Sequence, residues 1–125
     1  MRAKILNASA GSGKTYQLAY KYVRDVIDQP GLYRHILAVT FTNKATEEMK
    51  SRILKEIHRL ASGGASPYLG NLCRELSLDE RSVRKRAAEV RSKILHDYSR
   101  FTVLTIDTFF QRILRAFIKE LGIDL

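Results

Sequence analysis

The sequence has little cysteine and no long apolar run, and each shortage excludes a class of protein. Its 125 residues contain one cysteine, Cys73, which cannot form an internal disulfide and has no metal-ligating neighbours at a useful spacing. No run approaches the ~20 apolar residues that a membrane-spanning helix needs, and no signal peptide precedes the first predicted strand. We therefore expect a cytoplasmic chain with no membrane partner, and not a disulfide scaffold.

Acidic residues are also scarce relative to basic ones. The chain has 22 Lys and Arg against 13 Asp and Glu, which gives a formal net charge of +9. The excess lies in residues 1–62 and 71–100, whereas residues 101–125 are balanced. This distribution favours a polyanionic partner such as nucleic acid, although only modestly, because many basic proteins bind nothing in particular.

A glycine-rich turn follows the first apolar stretch. Residues 8–15 read Ala-Ser-Ala-Gly-Ser-Gly-Lys-Thr, between a predicted strand at Ala3–Leu6 and a predicted helix at Thr15–Asp28. A strand, a glycine-rich turn, Lys-Thr and a helix together indicate a phosphate-binding loop rather than an ordinary surface turn. Gly11 and Gly13 let successive backbone N–H groups point at phosphate oxygens, and the helix adds the positive end of its dipole.

The pattern assigns a role to each position of this loop. Lys14 would reach the β- and γ-phosphates, and the Thr15 hydroxyl would be a ligand of Mg²⁺, so these two are the predicted catalytic residues. The first position is alanine where the usual pattern has glycine, a departure that several NTPase families share. The residues predicted to hold the nucleotide are Ala8, Ser9, Ala10, Gly11, Ser12, Gly13, Lys14 and Thr15.

Two further apolar strands are predicted, and each leads into a helix. His35–Phe41 precedes Thr42 and Asn43, which are good helix-capping residues. Phe101–Ile106 precedes a last helix that Asp107 is predicted to cap and Gly122 is predicted to end. Successive βα units predict an α/β fold with a parallel three-stranded sheet flanked by helices.

Residues 62–100 interrupt this alternation with a predicted helical insertion. A short helix is expected at Asn71–Leu76. A capping box is predicted after it, in which the Ser77 hydroxyl caps the next helix and the Glu80 carboxylate, three residues later, bonds back to the Ser77 backbone. The helix at 77–98 is amphipathic and basic. It could contact DNA phosphates, but the more ordinary interpretation is a surface helix packed on the sheet domain.

Polar and aromatic side chains follow the second and third strands. Ligands of open α/β sheets bind beyond the carboxyl ends of the strands, so these side chains would share an edge with the nucleotide. An aromatic ring beside hydroxyl, amide and ammonium groups suits single-stranded nucleic acid. The alternative is a capped helix with its aromatic in the core, which would explain at least one ring of Phe109 and Phe110. The predicted DNA-binding residues are Phe41, Thr42, Asn43, Lys44, Thr105 and Thr108.

Three stretches together resemble a known family. Residues 8–15, Val-Thr-Phe-Thr-Asn-Lys-Ala at 39–45 and Leu-Thr-Ile-Asp-Thr-Phe-Phe at 104–110 resemble helicase motifs I, Ia and Ib of superfamily 1, in the order of the UvrD/Rep type. The form of the first and third is similar to the RecB/AddA branch, whose members combine helicase and nuclease in double-strand break repair. The resemblance covers nearly the whole chain apart from about 62–100.

The resemblance implies a partial RecA-like P-loop NTPase domain that uses ATP and Mg²⁺ and translocates on single-stranded DNA. The implied partners are single strands or duplex ends, the remainder of the helicase chain and a nuclease subunit. Many UvrD-type members have histidine where this chain has Asp107. An acidic residue cannot attract phosphate, so helix capping is the better interpretation there.

The Asp-Glu motif that would bind Mg²⁺ and polarise water follows no apolar strand in residues 1–125. We therefore expect 1–125 to be the N-terminal portion of the first motor domain, without Walker B or a second motor domain and with almost no hydrolysis of its own. A small P-loop phosphotransferase is one alternative, although no substrate lid is evident. A non-catalytic DNA-binding module using helix 77–98 is another.

Overall fold

The structure, a computed structural model, describes residues 4–8 and 12–122, with side chains from Tyr16 to Gly122. This part of the chain contains three strands and five α-helices, and three of the helices follow one another between the second and third strands. None of the described helices is long and apolar enough to cross a membrane. The elements are β1 Lys4–Ala8, α1 Ser12–Asp28, β2 Ile36–Thr40, α2 Asn43–Ala61, α3 Leu69–Leu76, α4 Glu80–His96, β3 Thr102–Thr105 and α5 Ile106–Leu121, with short 3₁₀ helices at Pro30–His35 and Tyr98–Arg100.

The strands pair in parallel, with β2 between β1 and β3. Parallel neighbours need a crossover, which α1 supplies between β1 and β2 and which α2 to α4 supply between β2 and β3. The predicted α/β class, with parallel strands flanked by helices, is confirmed.

The hydrophobic core lies on one face of the sheet. Alternate residues of β2, Ile36 and Ala38, point into it with Val103 of β3. The apolar side chains of α1 and α2 fill this core, and Ala45 near the start of α2 is only partly buried whereas the neighbouring Thr46 is buried. The buried residues are Ala19, Tyr22, Val23 and Val26 of α1 and Met49, Ile53, Ile57 and Leu60 of α2.

The predicted insertion forms a further helical layer, because α4 packs against α2 and also contacts α1 and α3. The apolar face predicted for α4 is fully buried. The prediction of a basic helix packed on the sheet domain is therefore the one that the packing supports. Its buried residues are Val83, Ala87, Val90 and Ile94.

Two arginines of α4 cap the carboxyl ends of other helices. Arg84 Nη1 donates to the carbonyls of Leu60, at 3.1 Å, and of Gly64, at 3.0 Å, just where α2 ends. Arg86 Nη1 donates to the Ile27 and Asp28 carbonyls at 3.3 and 3.0 Å, where α1 ends. The last carbonyls of a helix have no partner within it and carry the negative end of its dipole, so a cation stabilises both ends.

The predicted capping box of α4 is wrong. Ser77 adopts the left-handed conformation, with φ of 52°, and closes α3 instead of opening α4. Asp79 is the N-cap, and its carboxylate accepts from the Ser82 backbone N–H at 2.8 Å. Hydrogen bonding from Ser82 lowers the pKa of Asp79. A carboxylate directly before the helix bonds the unpaired N–H groups of the first turn, and this leaves Ser77 to the preceding turn.

The last helix is capped by a different residue from the one predicted. The Thr105 hydroxyl accepts from the Thr108 N–H at 3.3 Å, and Asp107 lies within the first turn of α5, so the prediction of Asp107 as the cap is wrong. Gly122 ends α5 in the left-handed conformation, with φ of 67°, as predicted.

The apolar stripe of α5 is exposed. This helix contacts β2 and β3, and none of its residues is buried in the part of the chain that the structure describes. A groove of about 390 Å³ lies between its inner side and the sheet residues Leu37 and Leu104. The exposed apolar side chains are Phe110, Ile113, Leu114, Phe117 and Leu121.

The α4 layer gives a direct test of this packing. Ile94 is 1% exposed, so Ile94→Ala removes buried apolar volume and is expected to lower the free energy of unfolding by about 2–5 kcal/mol. The neighbouring Leu95 is 70% exposed, and Leu95→Ala, the matched control, should change it by less than about 0.5 kcal/mol. Urea denaturation followed by circular dichroism measures both. Equal losses would mean that α4 does not pack on α2 by this face.

Candidate nucleotide and nucleic-acid edge

The three strands end level with one another at one edge of the sheet. Ala8 pairs with Thr40, and Thr40 pairs with Thr105. Neighbouring strands lie about 4.8 Å apart, so the ends of β1 and β3 are roughly 10 Å from each other. The chain that leaves each strand therefore enters the same small region.

The predicted phosphate loop leaves β1 at this edge. Residues 9–11 and the side chains of Ala8 and of 12–15 lie outside the described part of the chain, so the roles predicted for Lys14 and Thr15 stay predictions. The backbone shows α1 beginning at Ser12, three residues earlier than predicted and immediately after Gly11. The unpaired N–H groups of its first turn are thus next to the loop.

The segment that leaves β2 presents its side chains to solvent. Phe41 is 50% exposed, and Asn43 and Lys44 are exposed at the start of α2. Thr42 is the N-cap, and its hydroxyl accepts from the Ala45 N–H at 3.0 Å, so the predicted cap is confirmed. That hydroxyl keeps its own proton for a further acceptor.

Buried hydroxyl groups hold this segment from beneath. The hydroxyl oxygens of Thr40 and Thr46 are 2.6 Å apart, and both residues are buried. The Thr46 hydroxyl donates to the Thr42 carbonyl at 3.1 Å, and the Thr40 oxygen lies 3.4 Å from the Leu104 carbonyl on β3. The network joins β2, β3 and α2, and it fixes the turn that carries Phe41.

The residues predicted after β3 are arranged differently. Thr105 donates its hydroxyl proton to the Thr108 hydroxyl at 3.0 Å, so the two side chains bond to each other at the start of α5. Phe109 is half-buried and Phe110 is 61% exposed, so the expectation that one of these rings fills the core is wrong. This follows from the exposure of α5 as a whole.

An aromatic cluster beside the first turns of α1 was not predicted. The Tyr68 hydroxyl donates to the Tyr16 carbonyl at 3.0 Å, and the two rings meet edge to face with centroids 5.1 Å apart. Arg52 of α2 lies over the Tyr16 ring at 5.4 Å, and burial raises the pKa of Tyr68 to about 12. The cluster ties the insertion to the residue that directly follows Thr15. Tyr16 and Tyr68 are 52 residues apart in sequence, and no local pattern connects them.

The threonine network can be tested by removing one hydroxyl. Thr46→Val keeps the side-chain shape but removes the hydroxyl that bonds Thr40 and the Thr42 carbonyl. Both groups keep other partners, so the change should lower the free energy of unfolding by about 0.5–1.5 kcal/mol, the value of one hydrogen bond. Thr46→Ser is the control, because it keeps the hydroxyl. Thermal and urea denaturation measure the difference. A serine variant as unstable as the valine variant would show that the methyl group, not the hydroxyl, matters.

Comparison with known proteins adds independent information. The model of the UvrD/REP helicase N-terminal domain matches residues 2–124. The RecBCD enzyme subunit RecB of Escherichia coli (strain K12) is 31% identical over 127 residues, covering 95% of this chain and 11% of that protein. An ATP-dependent helicase/nuclease subunit of Lactobacillus delbrueckii subsp. bulgaricus is 29% identical over 120 residues, covering 96% of this chain and 8% of that protein.

A third relative has a higher identity over a shorter stretch. The RecBCD enzyme subunit RecB of Borreliella burgdorferi is 43% identical over 58 residues, covering 46% of this chain and 5% of that protein. No solved structure matches the chain. The chain spans about a tenth of the length of the curated relatives it matches. Because the family model covers nearly all of its residues, the chain belongs to the UvrD/REP helicase family, in which it corresponds to the N-terminal domain.

Proposed function

We propose that this chain is the ATP-binding portion of a DNA helicase, in which a RecA-like motor domain translocates on single-stranded DNA. The observation that carries the proposal is the level ending of Ala8, Thr40 and Thr105. This level ending places the segment that would hold the nucleotide beside the segments that would bind single-stranded DNA. A motor needs such proximity, because hydrolysis at one site must alter contacts at the other.

The nucleotide half of the proposal fits the backbone. Only three residues separate the end of β1 from the first turn of α1, whose N–H groups suit phosphate. Lys14 would neutralise charge on the β- and γ-phosphates, and Thr15 would ligate Mg²⁺. The bound ATP and Mg²⁺ would supply the phosphoanhydride and the charge that stabilises its cleavage.

The DNA half depends on the segment after β2. The half-exposed Phe41 ring offers a face on which a base can stack. Asn43 and Lys44 supply an amide and an ammonium group at the amino end of α2, where the helix dipole also favours phosphate. The Thr105 hydroxyl donates its proton to the Thr108 hydroxyl, so of these two only Thr108 would keep a proton for a phosphate oxygen.

We further propose that residues 1–125 are a portion of the first motor domain, and that the remainder of the helicase chain covers α5. A contiguous stripe of large apolar side chains on one helix is typical of a surface that another segment buries. The relatives are about ten times longer than this chain, which supplies the required length. The resemblance to RecB and AddA extends the proposal to double-strand break repair in the cytoplasm, in partnership with a nuclease.

The packing of α4 weighs against the alternative in which helix 77–98 is itself the DNA-binding element. Arg84 and Arg86 donate to helix carbonyls, and Arg91 lies 3.1 Å from His58 Nδ1. Three of the six Lys and Arg side chains of α4 therefore contact other groups of the domain.

The DNA contact is tested by Phe41→Ala combined with Asn43→Ala. The pair should weaken binding of a labelled single strand at least about tenfold, since stacking contributes about 1–3 kcal/mol per base. Fluorescence anisotropy measures the affinity. Phe117→Ala combined with Gln111→Ala makes comparable truncations at exposed positions of α5 and should leave binding unchanged. Equal affinity in both variants would refute a DNA contact at this edge.

The fragment proposal is tested by ATPase activity. The 125-residue chain should bind nucleotide weakly and hydrolyse almost none with or without DNA, because no Asp-Glu motif follows its strands. A coupled phosphate-release assay with single-stranded DNA present measures this. DNA-stimulated hydrolysis that Lys14→Ala abolishes would contradict it.

A further inference from the structure

A basic cleft lies at the opposite edge of the sheet from the predicted ligands. It has a volume of about 440 Å³ and forms where the 3₁₀ helix Pro30–His35, the end of α4 and the 3₁₀ helix Tyr98–Arg100 meet. β2 begins at Ile36, so the cleft is at the amino edge. The length of β2 separates it from Phe41 by at least roughly 13 Å, about four base-pair steps of DNA. The lining residues are Tyr33, Arg34, Ser92, Lys93, His96, Asp97 and Arg100.

The cations of this cleft outnumber its carboxylates. Arg34, Lys93 and Arg100 contribute three positive charges and Asp97 one negative charge, which leaves an excess of two with His96 neutral. A concave surface with an uncompensated charge of one sign concentrates ions of the other sign. The cleft is therefore suited to an anion.

A single carboxylate organises the wall of the cleft. Asp97 accepts from the buried Tyr33 hydroxyl at 2.8 Å, and its Oδ2 lies 3.1 Å from Arg34 Nε and 3.7 Å from Arg100 Nε. Both guanidinium groups meet the carboxylate through Nε, so their terminal Nη donors stay available for another acceptor. Forked guanidinium donors of this kind bind phosphate oxygens well.

Lys93 extends this donor set, because it is exposed at the last turn of α4. His96 Nδ1 lies 2.7 Å from the Ser92 carbonyl, an atom that only accepts, so Nδ1 donates to it. The Nε2 atom of the neutral ring is an acceptor and adds no donor for an anion. Tyr98, 48% exposed, follows Asp97 directly, and its ring is held by Phe101 at 5.8 Å between centroids. An exposed ring on the same 3₁₀ helix as Arg100 favours nucleic acid over free phosphate or an acidic peptide, because a base can stack on it.

We propose that this cleft is a second DNA-binding site, which holds the phosphodiester backbone of a nucleic-acid segment at the amino edge of the sheet. This second site goes beyond the proposed function, and it rests on the proposed function only for the identity of the ligand. The site differs from the basic helix face considered from the sequence, because only the last turn of α4 takes part. Arg34 and Arg100 come from the 3₁₀ helices on either side.

The test compares matched double variants of the 125-residue chain by anisotropy with a labelled DNA single strand over a range of salt. Lys93→Gln with Arg100→Gln should weaken binding and reduce the slope of log affinity against log salt by about 1.4, the value for two lost phosphate contacts to a single strand. Arg34 is kept, because its bonds to Tyr33 and Asp97 hold the wall. Circular dichroism verifies that each variant is folded.

The control removes the same charges from the other end of α4. Arg81→Gln with Lys85→Gln should leave the slope within about 0.5 of the parent, because these exposed residues lie outside the cleft. Equal losses in both double variants would overturn the site and indicate a general charge effect. A cleft variant that keeps DNA binding but loses binding to a poly-glutamate peptide would also overturn it, in favour of an acidic protein partner.

The carboxyl edge is tested separately by Phe41→Ala with Asn43→Ala in the same assay with a single strand. If only that variant loses affinity, the second site is wrong and the proposed function stands. If only the cleft variant loses affinity, the second site stands and the contact proposed at Phe41 is wrong.

Discussion

The parallel register that brings Ala8, Thr40 and Thr105 level is the constraint on which the candidate site depends. Because the side-chain period of a strand is two, a slip of one residue would turn every side chain of β2 to the other face. It would expose Ile36 and Ala38, which are buried against the helices. The burial of one sheet face thus determines the register of β2, and with it the position of Phe41 relative to the ends of β1 and β3. Core packing and the position of the ligand edge are consequences of the same pairing.

The hydroxyl network beneath Phe41 adds precision to that placement. Strand pairing fixes the backbone only up to Thr40, and the turn beyond it has no ladder partner. The 2.6 Å contact between Thr40 and Thr46 and the bond to the Thr42 carbonyl replace the missing ladder. Buried hydroxyls are costly when unpaired, so a satisfied pair strongly favours one conformation of the turn.

Local patterns in the sequence predicted the features that local physics controls. Thr42 was identifiable as a cap and Gly122 as a helix end, because each acts within four residues of its partner. Ser77 was misassigned because a carboxylate two residues later competed for the same N–H groups. The roles of Arg84 and Arg86 could not be predicted, since their acceptors lie up to 59 residues away on other helices. The apolar stripe of α5 is a regular pattern in the sequence, but a pattern cannot reveal whether a segment covers it.

The arginine caps of α4 have a mechanical consequence. Arg86 holds the carboxyl end of α1 and Arg84 that of α2, so both helices are fastened to one element at the ends remote from the ligand edge. The other ends are held as well, α1 by the bond from Tyr68 to the Tyr16 carbonyl and α2 by the contact between Thr40 and Thr46. In α1, which is 17 residues long, roughly 25 Å separates the first turn from the end that Arg86 holds. With both ends held, α1 and α2 cannot swing separately, so a shift of α4 would move them together with the edge where phosphate and DNA would bind.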